Sequence, residues 1–140
     1  MAMTIHVDIV SAEGEIFSGL AEMVVAPALE GEVGIAARHA PFLSQLKPGE
    51  VRVKIDANET LPFYVSGGMI EVQPHVVTIL ADTAIRARDI DEAAALQAKK
   101  AAEEALADKS GRIDYAKAQA QLAEAIAQLR TLEKYRKGRA

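Results

Sequence analysis

The chain has no cysteine, which excludes disulfides, thiolate nucleophiles and cysteine-ligated zinc and fits a reducing compartment. It has no tryptophan and only three phenylalanines and three tyrosines. Its core must therefore be built mainly from Val, Ile, Leu and Ala. No proline occurs from Asp89 onward, although five precede it. No stretch approaches the roughly 18–20 uninterrupted apolar residues that span a bilayer. If the protein works at a membrane, another subunit must hold it there. The first ten residues carry no basic stretch followed by an apolar run, so no secretory leader is expected. What is present is a chain of 140 residues, half of them apolar, suited to one compact domain or to a small domain with an appendage.

Charge is unevenly spread. Residues 1–88 carry eleven acids against six bases, and residues 89–140 carry nine acids against ten bases. The acidic balance argues against nucleic acid as a partner. The last eleven residues hold Arg130, Lys134, Arg136, Lys137 and Arg139 against Glu133 alone, a short basic end on an acidic protein.

The two halves have different periods. Ile5, Val7 and Ile9 alternate with His6 and Asp8, the period of two expected of a half-buried strand. Residues 11–14 read as a turn, and residues 20–26 as a β-rich stretch ending at Pro27. Lys47-Pro48-Gly49-Glu50 is a turn signal, followed by alternation of Val51, Val53 and Ile55 with Arg52, Lys54 and Asp56. Residues 63–65, 69–72 and 76–81 are further short strands, separated by Gly67-Gly68 and Gln73-Pro74-His75. Strands at this spacing predict a sandwich or barrel, and the connections are too short for the crossover helices of a parallel sheet.

From Asp89 alanine dominates. Asp89 with Glu92 resembles a capping box. Ala94, Ala98, Ala101 and Ala105 fall on one helical stripe, and Asp108-Lys109-Ser110-Gly111-Arg112 breaks it. Asp114 is placed to cap a second helix. There Tyr115, Ala118, Leu122, Ala125, Ile126, Leu129 and Leu132 recur at steps of three and four. The two helices are expected to fold back as an antiparallel hairpin. Alanine favours helix but buries little area per residue, at about 25 cal/mol per Å², so docking of the hairpin is expected to be weak. A movable arm and the last layer of one rigid fold are both open on these grounds.

Catalytic chemistry is not supported. The three histidines lack metal-ligand spacing, and His6, on an alternating strand, is expected to face solvent. Gly67-Gly68 is no phosphate loop, which needs Gly-x-x-x-x-Gly-Lys-Ser/Thr between a strand and a helix. A tight turn or bulge accounts for it better. There is no G-x-S-x-G, and the acid pairs Glu30/Glu32 and Glu103/Glu104 read as solvated. Two features remain. Glu30-Gly31-Glu32-Val33-Gly34-Ile35, leading to His39-Ala40-Pro41, reads as an ordered loop of the kind that carries binding. The basic end of the second helix suits an acidic partner, or simply complements the helix dipole.

These segments resemble, essentially end to end, the epsilon subunit of bacterial F-type ATP synthases, equivalent to the delta subunit of mitochondrial enzymes. The resemblance is carried by Val10-Ser11-Ala12-Glu13 with Phe17-Ser18-Gly19, by the Glu30–Ile35 run and by His39-Ala40-Pro41. The run from Val65-Ser66-Gly67-Gly68-Met69 to Gln73-Pro74 and the one from Val77 to Ala84 complete it. It implies an N-terminal β-sandwich of about ten strands (residues 1–86) and a C-terminal antiparallel two-helix hairpin (residues 87–140). It implies a non-catalytic rotor subunit whose sandwich binds the gamma subunit and the c-ring, with the regions of Glu32 and His39 on the c-ring side. It implies a hairpin able to extend into the alpha/beta catalytic head and inhibit ATP hydrolysis, with Arg130, Lys134, Arg136 and Lys137 meeting an acidic motif of a beta subunit. The expected location is peripheral, on the cytoplasmic face of the bacterial plasma membrane, without insertion.

Two departures from the family pattern stand out. Members that bind regulatory ATP carry Ile/Leu-Asp-x-x-Arg-Ala, whereas here the segment is Ile90-Asp91-Glu92-Ala93-Ala94-Ala95. Ala94 replaces the arginine, and Glu124 and Gln128 stand where strong binders have arginines. Arginine supplies the fork that holds phosphate, so ATP binding is expected to be weak or absent, and no cofactor or metal is expected. The family often has Pro-Gly before His-Ala-Pro; this chain has Ala37-Arg38. The alternative readings are a free-standing β-sandwich adaptor whose hairpin dimerises, and a small enzyme on a sandwich scaffold, for which the sequence offers no pocket.

Overall fold

A computed structural model of the protein describes residues 3–108 and 114–139. The chain divides into two compact units, Met1–Arg86 and Ala87–Ala140. The first contains ten strands: β1 (Ile5–Ser11), β2 (Gly14–Ala21), β3 (Met23–Ala28), β4 (Gly31–Ala36), β5 (Phe42–Leu46), β6 (Gly49–Lys54), β7 (Thr60–Val65), β8 (Gly68–Val72), β9 (Val76–Ala81) and β10 (Ala84–Arg86). The second holds a 3-10 turn (Ala87–Asp89) and two helices, α1 (Glu92–Ala107) and α2 (Tyr115–Arg139). Among the described residues, no helix is long and apolar enough to cross a membrane.

The strands run in the order β10-β7-β6-β3-β5-β8-β9-β1-β2, with β4 on β3. The sheet folds over at β3. One edge of β3 pairs with β4 along its length. Its other partners change along the strand: β6 takes Met23, Val24 and Val25, and β5 takes Ala28. The core lies between the two layers. Ile5, Val7 and Ile9 meet Val51, Val53, Phe63, Val65, Ile70, Val72, Val77 and Ile79 there, each at most 1% exposed. Burying each such side chain contributes about 1.5–3 kcal/mol, and the alternation read from the sequence is what turns them all inward.

Both ends of the strand order meet. Arg86 of β10 donates through Nη2 to the Ile16 carbonyl of β2 at 2.9 Å, and its guanidinium lies 5.4 Å from the centre of the Phe63 ring. Phe63 in turn meets Phe17 of β2 edge to face, with ring centres 5.7 Å apart. A cation over a ring face and an edge-to-face pair thus close the sandwich where backbone pairing stops.

Some expectations are corrected. The Glu30–Ile35 run is not a loop: Gly31–Ala36 is a strand of the β3–β4 hairpin, with Leu29 and Glu30 as its turn. Pro27 does not end its strand, because β3 continues to Ala28. Lacking an N–H, it is tolerated where the ladder changes partner, and its carbonyl accepts from Lys47 N–H at 3.0 Å. One pair, β1 with β9, is parallel. No crossover helix is needed, since seven intervening strands make the connection.

In the second unit the N-cap of α1 is Asp91, not Asp89. Its Oδ1 accepts from Ala94 N–H at 3.1 Å, while Asp89 belongs to the 3-10 turn. Asp114 caps α2, accepting from Lys117 N–H at 3.1 Å. On α2 the buried positions are Ala118, Ala125, Thr131 and Leu132, and Tyr115 is exposed. On α1 the buried alanines are Ala95 and Ala102, whereas Ala94, Ala98 and Ala101 are exposed and Ala105 is half-buried. The stripe is rotated from the expected one because alanine occurs on nearly every face of α1, so its pattern fixes a period but not a phase. The expected break lies largely outside the described residues, at 109–113.

Gly67 and Gly68 form the turn between β7 and β8, both at positive φ (123° and 139°). A Cβ on Gly68 would lie 2.1 Å from the Leu80 carbonyl oxygen and 2.9 Å from Ala81 Cα. This is backbone that cannot step aside without opening the β8–β9 ladder. Gly14, at φ 131°, has open space instead. Gly68→Ala is expected to lower unfolding stability by more than about 2 kcal/mol, from strain and overpacking together. Gly14→Ala, with conformational strain alone, should cost clearly less. Equal losses in urea unfolding would remove the steric argument.

Candidate functional site

The turns of the β unit sort to two ends. One end gathers Ala12–Glu13, Leu29–Glu30, Lys47–Pro48, Ser66–Gly67 and Asp82–Thr83. Glu32 stands beside it, at the start of β4. With Glu13, Glu15, Glu30 and Asp82 this end carries five exposed acids against the exposed Lys47. Glu32 is 54% exposed at its side chain and accepts from Arg52 Nη2 at 3.1 Å. Arg52 also donates through Nη1 to Glu50 at 2.9 Å. One guanidinium therefore orients both carboxylates.

His39 lies at the other end, in the β4–β5 connection. About four strand residues at roughly 3.3 Å each separate Glu32 from Ala36, where that connection begins. His39 hydrogen-bonds through Nδ1 to the Ala40 carbonyl at 2.6 Å and meets Phe42 edge to face. The structure thus does not bring Glu32 and His39 together. Next to His39, Arg38 has φ 63°, a left-handed conformation costing a side-chain-bearing residue about 1–2 kcal/mol. Its N–H donates to the Pro74 carbonyl at 2.9 Å. Glycine adopts this conformation freely, which accounts for the Pro-Gly of the family pattern at this turn.

Of the four basic candidates on α2, three share one face. Arg130, Lys134 and Lys137 are exposed at i, i+4 and i+7, and Lys137 pairs with Glu133 at 3.0 Å. Arg136 points elsewhere, toward α1, where its Nη2 lies 2.7 Å from Glu92 Oε2. The pair rims a groove of about 490 Å³ lined also by Leu96, Leu129, Leu132, Glu133 and Lys137. Ala94, at the position of the family's arginine, is exposed and bears no charge; Glu124 lines a second α1–α2 groove with Ala98, Ala101, Gln121 and Ala125.

The fold assembles one cluster that the sequence spacing does not show. On β1 and β2, Asp8 faces Ser18 and His6 faces Leu20. Ser18 Oγ donates to Asp8 Oδ1 at 2.7 Å, and His6 Nε2 lies 3.0 Å from Asp8 Oδ1 and 3.1 Å from Ser18 Oγ. The residue types are those of a hydrolytic triad; the wiring is not. The serine gives its proton to the carboxylate, and the same imidazole nitrogen meets both partners, so the ring does not bridge acid and hydroxyl through its two nitrogens as a relay requires. The period-two pattern of β1 puts His6 and Asp8 on one face; only the hairpin register adds Ser18. Among the described residues no group of three or more acids and histidines is placed to hold a metal ion.

Residues 4–87 match the family described as ATP synthase, Delta/Epsilon chain, beta-sandwich domain, and residues 88–133 match its long alpha-helix domain. The chain is 81% identical, over the whole of both chains, to ATP synthase epsilon chain 1 of Methylococcus capsulatus. It is 66% identical to the ATP synthase epsilon chain of Nitrosococcus oceani, over 98% of each. Its fold is similar to a chain of the Euglena gracilis mitochondrial ATP synthase, in its OSCP/F1/c-ring assembly, with TM-score 0.73 and 25% identity, covering 94% of this chain and 81% of that one. A chain of the Tetrahymena thermophila central stalk/c-ring structure shares the fold at TM-score 0.58 and 16% identity, over 93% and 97% of the two chains.

The Ser18 hydroxyl, first, and then His6 hold the Asp8 carboxyl below its ordinary value of 3.8. A lowered folded-state value contributes stability that is present above the ordinary range and is lost as pH falls through the folded value. Ser18→Ala should therefore raise the Asp8 pKa in a carboxyl NMR titration. It should cost about 0.5–1 kcal/mol at neutral pH, since the cluster is partly exposed, and this difference should shrink once Asp8 is protonated. An unmoved Asp8 titration would refute the assignment. Arg38→Gly should stabilise the chain by about 1 kcal/mol, read as a higher urea midpoint at unchanged slope.

Proposed function

The chain belongs to the ATP synthase delta/epsilon family and is a non-catalytic subunit of that complex, and from this premise we propose that it joins the gamma subunit to the c-ring in the central stalk and carries a hairpin that slows ATP hydrolysis. The observation that carries the reading is the family match across both units, residues 4–87 and 88–133. The Euglena assembly of OSCP, F1 and c-ring and the Tetrahymena assembly of central stalk and c-ring support the same partners here.

In this proposal the acidic end of the β unit, with Glu32 held by Arg52, meets the polar loops of the c-ring, and the His39 end makes a separate contact. The basic end of α2 meets an acidic motif of a beta subunit in the alpha/beta head. Arg130, Lys134 and Lys137 supply one face and Arg136 the other. Regulatory ATP is bound weakly or not at all, because Ala94, Glu124 and Gln128 bring no positive charge to a triphosphate. The protein sits peripherally on the cytoplasmic face of the bacterial plasma membrane, with other subunits providing the anchorage.

ATP hydrolysis by the purified catalytic head, with the full chain and with the chain cut after Arg88, tests this. The full chain should lower the rate; the truncated chain should bind gamma and leave the rate unchanged. Equal rates with both forms would end the inhibitory reading while leaving the stalk assignment intact. Charge reversal at Arg130 and Lys134 together should weaken inhibition about tenfold or more, as expected for two charge-assisted contacts, and more so at low salt.

A further inference from the structure

The two helices of the second unit are tied at both ends, and the two ties differ in kind. One is the chain itself, between Asp108 and Asp114. The other is the pair Glu92–Arg136, residues 44 apart in sequence. Between them the buried positions are Ala95 and Ala102 on α1 and Ala118 and Ala125 on α2, joined toward the Glu92–Arg136 end by Thr131 and Leu132. Alanine contacts hold helices together with little buried area, and the end far from the connection has the longest lever. α1, with 16 residues, is about 24 Å long. Glu92 and Arg136 sit near that far end, in the first turn of α1 and the last turns of α2, where each charge is also favoured by its own helix dipole.

We propose that the Glu92–Arg136 pair is an exchangeable clasp: it closes the open end of the hairpin and occupies Arg136 whenever the hairpin is closed, so that an acidic partner must displace Glu92 to engage that arginine. The competition rests on the reading of the basic end given above; the clasp does not. Its contact is short, 2.7 Å, yet the side chains remain 43% and 57% exposed. Such a pair is strong enough to bias an equilibrium and too solvated to lock it. The other charges on the same groove, Glu133 and Lys137, satisfy each other at 3.0 Å. Of the four basic candidates, Arg136 is the one seen paired with an acid of α1, so it changes partner on opening.

Amide hydrogen exchange in the full chain tests the clasp, with Glu92→Gln, Arg136→Gln and the swapped double variant Glu92→Arg/Arg136→Glu. Each single variant should speed exchange in residues 92–98 and 129–137 about twofold to threefold at low salt. The swap should restore protection, and about 0.5 M salt should erase the differences. Unchanged exchange in both single variants, or no recovery in the swap, overturns the clasp. With the catalytic head, Glu92→Gln should inhibit hydrolysis at about a twofold to threefold lower concentration than the unaltered chain, and Arg136→Gln at a higher one. Faster exchange with unchanged potency overturns the competition. Normal exchange responses with no inhibition by any form support the clasp and sink the inhibitory reading of the hairpin.

Discussion

The β unit depends on β3 serving two neighbours along one edge. Over Met23 to Val25 the neighbour is β6, and at Ala28 it is β5. The two partners diverge from that edge, and everything they carry goes with them: β7 and β10 on one side, β8, β9, β1 and β2 on the other. The fork falls on Ala26, Pro27 and Ala28, all buried. Small side chains let the layers come together there, and a residue without an N–H leaves one fewer donor unpaired where the ladder changes hands. At the far end of the order, Arg86, Phe63 and Phe17 substitute side-chain contacts for a ladder. The sandwich is bent by backbone and closed by side chains.

The two units are held by different physics. The first encloses β-branched side chains at 0–1% exposure between two layers, which gives a stiff, closely packed body. The second has good helix formers and strong caps, but a seam in which alanine predominates. Its local structure is secure and its closure is shallow. The contrast suits the stiff body and the movable arm proposed above.

The charged residues follow that division. On the β unit they are braced: Arg52 orients Glu32 and Glu50, and Ser18 and His6 orient Asp8. On the hairpin the acids and bases pair in solvent, Glu92 with Arg136 and Glu133 with Lys137, where salt or a partner can exchange them. The resemblance of His6, Asp8 and Ser18 to a triad shows why residue types alone do not assign chemistry: the direction of one hydroxyl proton decides the matter.

The sequence by itself determined which residues turn inward on β1 and β6, the start of α2 at Asp114, the absence of a phosphate loop and the family. Each follows from short-range rules of alternation, capping and turn chemistry, or from motifs in order. Tertiary structure alone decided the rest. The glycines at 31 and 34 look like loop residues until β3 lies beside them and makes a strand. Alanine on every side of α1 leaves its inward face open until α2 selects Ala95 and Ala102. Glu32 and His39 are seven positions apart in sequence, yet an extended β4 puts them at opposite ends of the sandwich. Arg136 is one base among five until the helical turn and the return of α2 set it against Glu92. In each case the deciding contact is with a residue distant in the chain, and no local pattern records where the chain comes back.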